Sequence, residues 1–507
     1  MYRLRCLPGY LSGRSNQTIR PSLAWFYNIM STKNENWKLP SLESAKKSRN
    51  PISYQNYDLP EEFLGLGLGK KYYIRTYGCQ ANERDSESLA GILQQLGFQV
   101  TKKAEDSDLI VLNTCAVRKN AEDKVIGEIG ALKKLKRENP NLLIAVCGCM
   151  AQEEEMVDLV LKKHRQVDLI FGTHNIDRLP WLLAACFNKQ ERIVEVFSDH
   201  SKVIEDLPVK RFKNHKAWIN VAFGCDKFCT YCIVPYTRGR QRSRKAEEVL
   251  NEVKTCLDKG YKEVTLLGQN VNAYGKDFGY EGGFARLLSE VAKTGIARVR
   301  FVTSHPWDFS NELIETMKEY DNIMPYLHLP LQSGDDEILK KMGRRYTRAE
   351  YLSLFDRLKE AMPELAFSTD IIVGFPGESE EQFLNTLAVV DHCKFDNIFS
   401  FVYSPREKTP ASYLVDDLDM AVKKERLKRL NDRFKPLALA NAKKYLGQTL
   451  EVLVDGSSKN NPDVYSGYSP GNKVVNFSGD TSIQAGDLVK VKIERVKTFT
   501  LEGTVIE

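Results

Sequence analysis

From residue 71 to 205 the chain alternates short apolar runs with stretches of helical period. YYIRTYGC, DLIVLNTC, LIAVCGC and VDLIFGT read as strands, brief aliphatic runs bounded by polar or glycine residues. Between them DSESLAGILQQLG and AEDKVIGEIGALKKLKREN carry apolar residues at the spacing of an amphipathic helix. Strand–helix alternation predicts a parallel sheet covered by helices. Residues 216 to 405 repeat the alternation six times, with AWINVAFGC, EVTLLGQN, RVRFVTS, YLHLPLQS, FSTDIIVGFPGE and NIFSFVYSP as strands. Segments such as RKAEEVLNEVKTCLDKG and RAEYLSLFDRLKEAM separate them as helices. Six βα units predict a partial barrel related to the eight-unit kind. Residues 421 to 445, AVKKERLKRLNDRFKPLALANAKKY, read as a basic helical linker. TLEVLVDG, VYSGYSPGNKVVNF and DLVKVKIERVKTFTLEGTVIE follow as strands joined by turn residues, a small antiparallel barrel. The expected class is α/β: an N-terminal parallel α/β domain over 70–205, a central partial (β/α)6 barrel over 211–440, and a small β-barrel over 441–507.

Composition narrows the class without deciding the chemistry. Hydrophobic residues make up 42% and charged residues 28%, the values of an ordinary globular chain. A net charge of +6 permits a nucleic-acid partner without demanding one. No apolar run approaches the ~20 residues of a membrane span, so no membrane partner is expected. The first 34 residues stand apart: Arg3, Arg5, Arg14, Arg20 and Lys33 all precede the first acidic residue, Glu35. Arginine and serine without acid, with interspersed Leu, Trp and Phe, predict a mitochondrial transit peptide; a basic tail is the plainer reading. The expected address is the mitochondrial matrix, with room for a cytosolic fraction. Residues 35–69 read as a disordered lead-in.

Eleven cysteines in 507 residues are too few for a disulfide scaffold, so their clustering is what matters. Cys186, Cys256 and Cys393 sit alone in helical patterns and read as small buried apolar side chains. Cys79, Cys115 and Cys149 each close a strand of the first sheet. Ligands of an open parallel sheet bind outside the carboxyl ends of its strands, so three thiols distant in sequence arrive at one edge. Cys147 faces away from Cys149 by the two-residue period, and Cys149, nearer the loop, is the expected ligand. The second group lies in FGCDKFCTYCIVPYTRGR, where Cys225, Cys229 and Cys232 are spaced C-x3-C-x2-C on the loop after the first strand of the central domain. Structural zinc takes four ligands, often as paired C-x2-C, and an iron–sulfur cube normally takes four thiolates. Three thiolates leave one iron uncapped and open to a small molecule.

That spacing, on the first loop of a βα barrel, resembles the radical S-adenosylmethionine (SAM) enzymes. The resemblance implies that the open iron chelates SAM and that one electron from the cluster cleaves it, giving a radical able to take hydrogen from unactivated carbon. Gln269, His328 and Gln332 at strand ends, Arg344 in MGRRYT, and Gly374, Gly377 and Glu378 in IIVGFPGE are candidate contacts to that cofactor. The two glycines allow close backbone approach, whereas a lone histidine is more often structural. On the C-terminal barrel, Tyr465, Tyr468, Asn472 and Lys490 are the residue types expected to meet nucleic acid; a structural cap is the bland alternative.

TYGCQ-N, LNTCAVR, CGCMAQ, FGCDKFCTYCIVPYTRGR, LHLPLQSGDD, MGRRYT and DIIVGFPGE, in this order, resemble the methylthiotransferases, and the likeness runs from about residue 70 to 507. The resemblance implies an N-terminal cluster domain, a radical domain and a C-terminal RNA-binding barrel of the TRAM type. It implies two [4Fe-4S] clusters, an auxiliary one on Cys79, Cys115 and Cys149 and a radical one on Cys225, Cys229 and Cys232, with SAM serving both as methyl donor and as radical source. It implies methylthiolation at C2 of an adenosine beside the tRNA anticodon, with Arg238 and Arg244 as further RNA contacts. Implied partners are the tRNA anticodon stem-loop, a sulfur donor, an electron donor and a kinase-regulatory subunit, with the enzyme acting as a monomer. FVYSPREKTPA departs from the family's R-P-G-T, and Gln241 stands where the family pattern has Glu. With the leader, the first departure points to the branch acting on N6-isopentenyladenosine. The alternatives are N6-threonylcarbamoyladenosine, a ribosomal-protein aspartate, or a cluster-bearing protein that binds RNA or a kinase without turnover.

Overall fold

The computed structural model describes residues 46 and 51–506, apart from 117–118, 190–191, 198–200, 459–460 and 481. The leader expected over 1–34 lies outside the described residues. The first domain is one parallel sheet in the order Gln99–Val100, Lys71–Thr76, Leu109–Thr114, Leu143–Gly148, Leu169–Phe171, Ile193–Glu195. Leu109 and Val111 pack with the helices Gln80–Gln95 and Leu179–Lys189, while Ile110 and Leu112 pack with Lys119–Glu138 and Glu154–Lys163. Both faces are covered, which is why the central strands are continuously apolar rather than alternating. The two edge strands, of two and three residues, are too short to leave a periodic trace in the sequence.

The lead-in expected over 35–69 is corrected for residues 51–69; residues 35–45 and 47–50 lie outside the described residues. Ser53–Asn56 pairs in parallel with Lys202–Glu205, and Phe63 is fully buried with its ring centroid 5.2 Å from that of Trp181. The strand reads SYQN and finds its partner far along the chain, so no local hydrophobic pattern announces it.

The central domain carries all six expected strands. Lys216–Asn220, Glu263–Leu267 and Arg298–Phe301 form one parallel sheet; Tyr326–His328, Ala366–Val373 and Asn397–Val402 form another. A parallel bridge between Val299 and Ile323 links them into an open arc. The helix Met420–Lys443, expected as a linker, packs back on this domain and buries Lys423, Arg426, Leu430, Phe434 and Ala438.

The C-terminal domain is a closed barrel of five strands, Thr449–Ser458, Asn461–Tyr468, Val474–Ser478, Leu488–Val496 and Thr500–Ile506. One pairing departs from the antiparallel expectation: Val474–Ser478 runs parallel to Thr500–Ile506. An odd number of strands in a ring cannot alternate direction throughout, so closure forces one parallel pair. This barrel caps the amino-terminal ends of the arc. Asp455 sits 2.7 Å from Lys216, and Arg298 donates to Tyr468 O at 2.9 Å. Arg300 donates to Pro470 O at 2.8 Å, and Lys473 lies 3.2 Å from Asp396.

Two candidate cluster sites

The auxiliary triad is assembled by the first sheet. Cys79 precedes the helix Gln80–Gln95, Cys115 follows Leu109–Thr114, and Cys149 follows Leu143–Gly148. These strands are neighbours in register, so their carboxyl ends meet. The turn into each outer cysteine needs glycine. Gly78 has φ +121°, and a Cβ there would lie 2.6 Å from Cys115 Cβ. Gly148 has φ +93°, and a Cβ there would lie 2.4 Å from Thr114 O. Cys147 instead packs into the apolar core beneath the sheet with Val111, Ala145 and Phe171.

Hydrogen bonds tie this triad to helix Gln80–Gln95 and to the neighbouring domain. Asn82 Nδ2 donates to Thr114 O at 2.7 Å, and its Oδ1 accepts from Cys79 Sγ at 3.5 Å and from Arg238 Nη2 at 3.2 Å. Arg238 Nη2 also donates to Asp85 Oδ2 at 2.7 Å, and Nε donates to Cys149 Sγ at 3.2 Å. Burial pushes the Cys149 thiol up to about 12; Arg238 pulls it back, and Cys115 and Cys79 add to the rise. A bound metal removes such a proton, because the cation replaces the lost hydration.

The radical triad is local. Gly224, at φ +72°, turns the chain out of the strand Ala222–Phe223; a Cβ there would lie 2.2 Å from Arg240 O. Cys225 N donates to Gly239 O at 3.1 Å, and Cys232 N to Cys229 O at 2.9 Å. Thr230 anchors the loop on Met342 O and Lys341 O at 2.9 and 2.8 Å. Burial is the first cause raising Cys225 and Cys232, with Cys229 the next in both cases; Cys232 reaches about 12. Phe228 holds a left-handed φ of +49° inside the loop, backbone strain of the kind found at functional sites.

The expected cofactor contacts divide. Gln269 Oε1 accepts the Gly224 N–H at the neck of the radical loop. Arg344 is buried and donates to Cys229 Sγ at 3.6 Å, Pro330 O at 2.9 Å and Tyr346 Oη at 3.0 Å. His328 lies 3.4 Å from Asp370 and 2.8 Å from Ser368 Oγ, inside the arc. Gln332 takes φ +71° beyond the strand Tyr326–His328, where it bridges to Ile371, its N–H bonded to Asp370 O at 2.8 Å. In IIVGFPGE the structure shows the glycine serving the packed helix. A Cβ on Gly374 would lie 2.4 Å from Lys423 Cγ, and Glu378 accepts from Gly374 N at 2.8 Å and Arg426 Nη1 at 2.9 Å. Gly377 N donates to Asp417 at 3.2 Å. Glu378 is 2% exposed and paired with Arg426.

Two expected RNA contacts are corrected outright. Arg238 is turned inward to Cys149, and Arg244 is buried against Glu205 and Glu252 at 2.6 Å each. Both arginines have carboxylates from distant segments, a pairing that no local basic run reveals. Tyr468 and Asn472 lie where the small barrel meets the arc: Lys216 Nζ stands 4.8 Å from the Tyr468 ring centroid, and Asn472 bonds to Tyr326. Tyr465 stacks on Phe477, with ring centroids 5.8 Å apart, and Lys490 is exposed on the barrel wall. Gln241, the second departure in the sequence, is buried with its Nε2 donating to Ala273 O at 2.6 Å.

Sequence reasoning missed Asn82, Asp85 and Tyr236. A signal for the first two exists: the opening turns of helix Gln80–Gln95 bury Asn82, Arg84, Asp85, Ser86, Glu87 and Ser88, a polar run with no apolar face. Tyr236 packs with Ala116, Cys149 and Ile233, and the pKa of its hydroxyl is pushed up to about 12 by burial and by the nearby Cys232. It thus stands between the two triads, and its buried hydroxyl has no hydrogen-bond partner among the described residues. All-thiol donor sets, glycines that leave room beside the thiols, and an orphaned hydroxyl between them fit two cubanes. Among the described residues no three His, Cys, Asp or Glu side chains close on one point as the ligands of a single ion would.

Residues 219–390 match the Radical SAM superfamily, 71–172 the Uncharacterized protein family UPF0004, and 443–506 the TRAM domain. A tRNA-2-methylthio-N(6)-dimethylallyladenosine synthase of Anoxybacillus flavithermus is 54% identical over 471 residues, 92% of this chain and 89% of that one. The chain belongs to the tRNA-2-methylthio-N(6)-dimethylallyladenosine synthases. A second member of this methylthiotransferase family, from Geobacillus kaustophilus, is 53% identical over 470 residues, covering 92% and 88%. Membership brings two [4Fe-4S] clusters and SAM as cofactors. Among solved structures, the radical SAM methyltransferase TsrM of Kitasatospora setae, with tryptophan and a SAM analog bound, superposes at a TM-score of 0.50. At 12% identity over 77% of this chain and 79% of that one, the likeness is one of fold. The mitochondrial address expected from the leader is corrected: these relatives are bacterial and point to a cytosolic protein. No helix among the described residues is long and apolar enough to cross a membrane.

Proposed function

We propose that this chain inserts a methylthio group at C2 of the N6-dimethylallyladenosine beside the anticodon of tRNA. The observation that carries this reading is the pair of three-thiol sites, each one ligand short of a closed cubane and joined by the segment from Cys232 to Arg238. When bound, the clusters and SAM supply the electron, the radical and the methyl group. The chain supplies the rest. Cys225, Cys229 and Cys232 would hold one cluster, which would supply the electron for SAM cleavage, and Gln269 and Arg344 fix the shape of that loop. Cys79, Cys115 and Cys149 would hold the other, which would supply the site for sulfur. Tyr236 closes the space between them to water and presents a hydroxyl there. An adenine C2–H is not acidic, so no base is needed at the target carbon; the residues orient the base and keep solvent out.

Substrate contact on the C-terminal barrel is assigned to Tyr465 and Lys490, which leave the face docked on the arc unused. Both triads come from one chain, so a monomer acting on an anticodon stem-loop with external sulfur and electron donors is sufficient. Anaerobically reconstituted protein with dithionite, SAM and tRNA bearing dimethylallyladenosine should yield 5′-deoxyadenosine and the 2-methylthio nucleoside by mass spectrometry. Fully loaded protein that gives no modified nucleoside with this tRNA, or with tRNA bearing threonylcarbamoyladenosine, would be a binding protein rather than a synthase.

A further inference from the structure

We propose that Arg238 is a positioning residue for the auxiliary cluster. From the radical domain it holds Cys149 and Asn82 in place and, balanced by Asp85, sets the charge felt by the Cys79, Cys115 and Cys149 thiolates. Arg238 is 5% exposed and works through the Nε–Nη2 edge of its planar fork: Nε to Cys149 Sγ, Nη2 to Asn82 Oδ1 and Asp85 Oδ2. Arginine does not lose its proton in a protein, so this positive charge stays at the site in every state of the cluster. Hydrogen bonds to cluster sulfurs and nearby fixed charges are what tune an iron–sulfur centre, and outer-shell partners orient its ligands.

The same arginine reports on the other triad. It follows Cys232 across the short helix Val234–Thr237, with its N–H bonded to Val234 O at 2.8 Å. Thr237 O accepts from Thr173 Oγ1 of the first domain at 2.8 Å, so the segment is fastened to both domains. Asn82 carries the link to the remaining cysteines, through Cys79 Sγ and through Thr114 O beside Cys115. Arg238 thus brings a side chain of the radical domain into a hydrogen bond with an auxiliary thiol.

The inference rests on the auxiliary cluster of the proposed function, and the two can fail separately. In full-length protein with Cys225, Cys229 and Cys232 changed to alanine, only the auxiliary site can hold a cubane. Iron retained at half the unmodified content establishes that site; loss of all iron overturns both readings. In this background Arg238→Gln should move the cluster's midpoint potential to more negative values, because a positive charge is lost. Asp85→Asn should move it the opposite way, because a negative charge is lost. Arg238→Lys, which keeps the charge and loses the fork, should hold a potential near the parent's and release iron faster to a chelator. A packing role alone predicts no shift, or shifts of the same sign in the first two variants, and either result overturns the proposal. If Arg238→Gln fails to retain iron, Asp85→Asn decides, and an unshifted potential there overturns it.

Discussion

The two triads reach the same donor set by different routes. The radical triad lies on one loop, braced by its own backbone and by Thr230 on Met342 and Lys341. The auxiliary triad spans Cys79 to Cys149 and exists only because three parallel strands end side by side in register. Gly78, Gly148 and an arginine from the other domain complete it. A loop site depends on spacing and can be damaged locally. A sheet-edge site depends on the whole domain and on how that domain meets its neighbour.

The largest effect follows from separating the two. Cys229→Ala should abolish 5′-deoxyadenosine formation and halve the bound iron, because the cubane left with two thiolates is lost. Cys115→Ala should halve the iron as well, yet keep SAM cleavage and lose only the methylthio product. Nucleoside mass spectrometry and 5′-deoxyadenosine yield, measured on the same samples, distinguish the outcomes. Loss of cleavage in Cys115→Ala would mean that the sites are not independent.

The domain interface is the next place to press. Glu252 of the radical domain faces Arg84 at 3.0 Å, Arg211 at 2.5 Å and Arg244 at 2.6 Å, with its side chain 16% exposed. Arg211 also holds Glu87 at 2.8 Å, and Arg244 holds Glu205, so both domains share the network. Glu252→Ala leaves three buried guanidiniums short of one partner and should cost about 3–5 kcal/mol, the usual result of breaking a buried ion pair from one side. Burial alone would raise the Glu252 carboxyl, but Arg84, Arg244 and Arg211 overcome it and hold the group well below the carboxylate range. A carboxylate with a lowered folded value stabilises above its unfolded value of 4.5 and loses that contribution as pH falls below it. Melting curves from pH 7 to 3 should therefore fall less steeply in Glu252→Ala than in the unmodified chain. An equal or steeper fall would place the acid sensitivity elsewhere.

The same contrast explains what could be read from the sequence. The radical loop was legible because spacing is local, and the six strands of the arc because each is a clear apolar run. The three auxiliary cysteines were legible as strand ends, while Asn82, Asp85 and Tyr236 were not, since their roles depend on contacts across the domain boundary. Arg238 and Arg244 looked like surface cations in PYTRGRQRSR, yet their partners Asp85 and Glu205 come from other segments and Glu252 from the helix that follows. The pairing of Glu378 with Arg426 was not legible, because Arg426 is on a helix the sequence presents as a linker. SYQN carried no signal because its pairing is with residues 202–205.

The smallest expected effect tests the distinction between buried and exposed cations. Lys490 stands outward on the barrel strand Leu488–Val496, opposite Glu451 and Ile506 in register. A lysine that meets one phosphate releases about one counterion, so Lys490→Ala should weaken tRNA binding uniformly and reduce the slope of log affinity against log salt by about 1. Arg244→Ala removes a cation of the same charge from the interior. It should lower stability by breaking the Glu205 and Glu252 pairs while leaving the salt slope of the folded protein unchanged. Binding titrations at several salt concentrations, scaled to folded protein, separate the two. A slope reduced by Arg244→Ala and untouched by Lys490→Ala would put the RNA on the domain interface and not on the barrel wall.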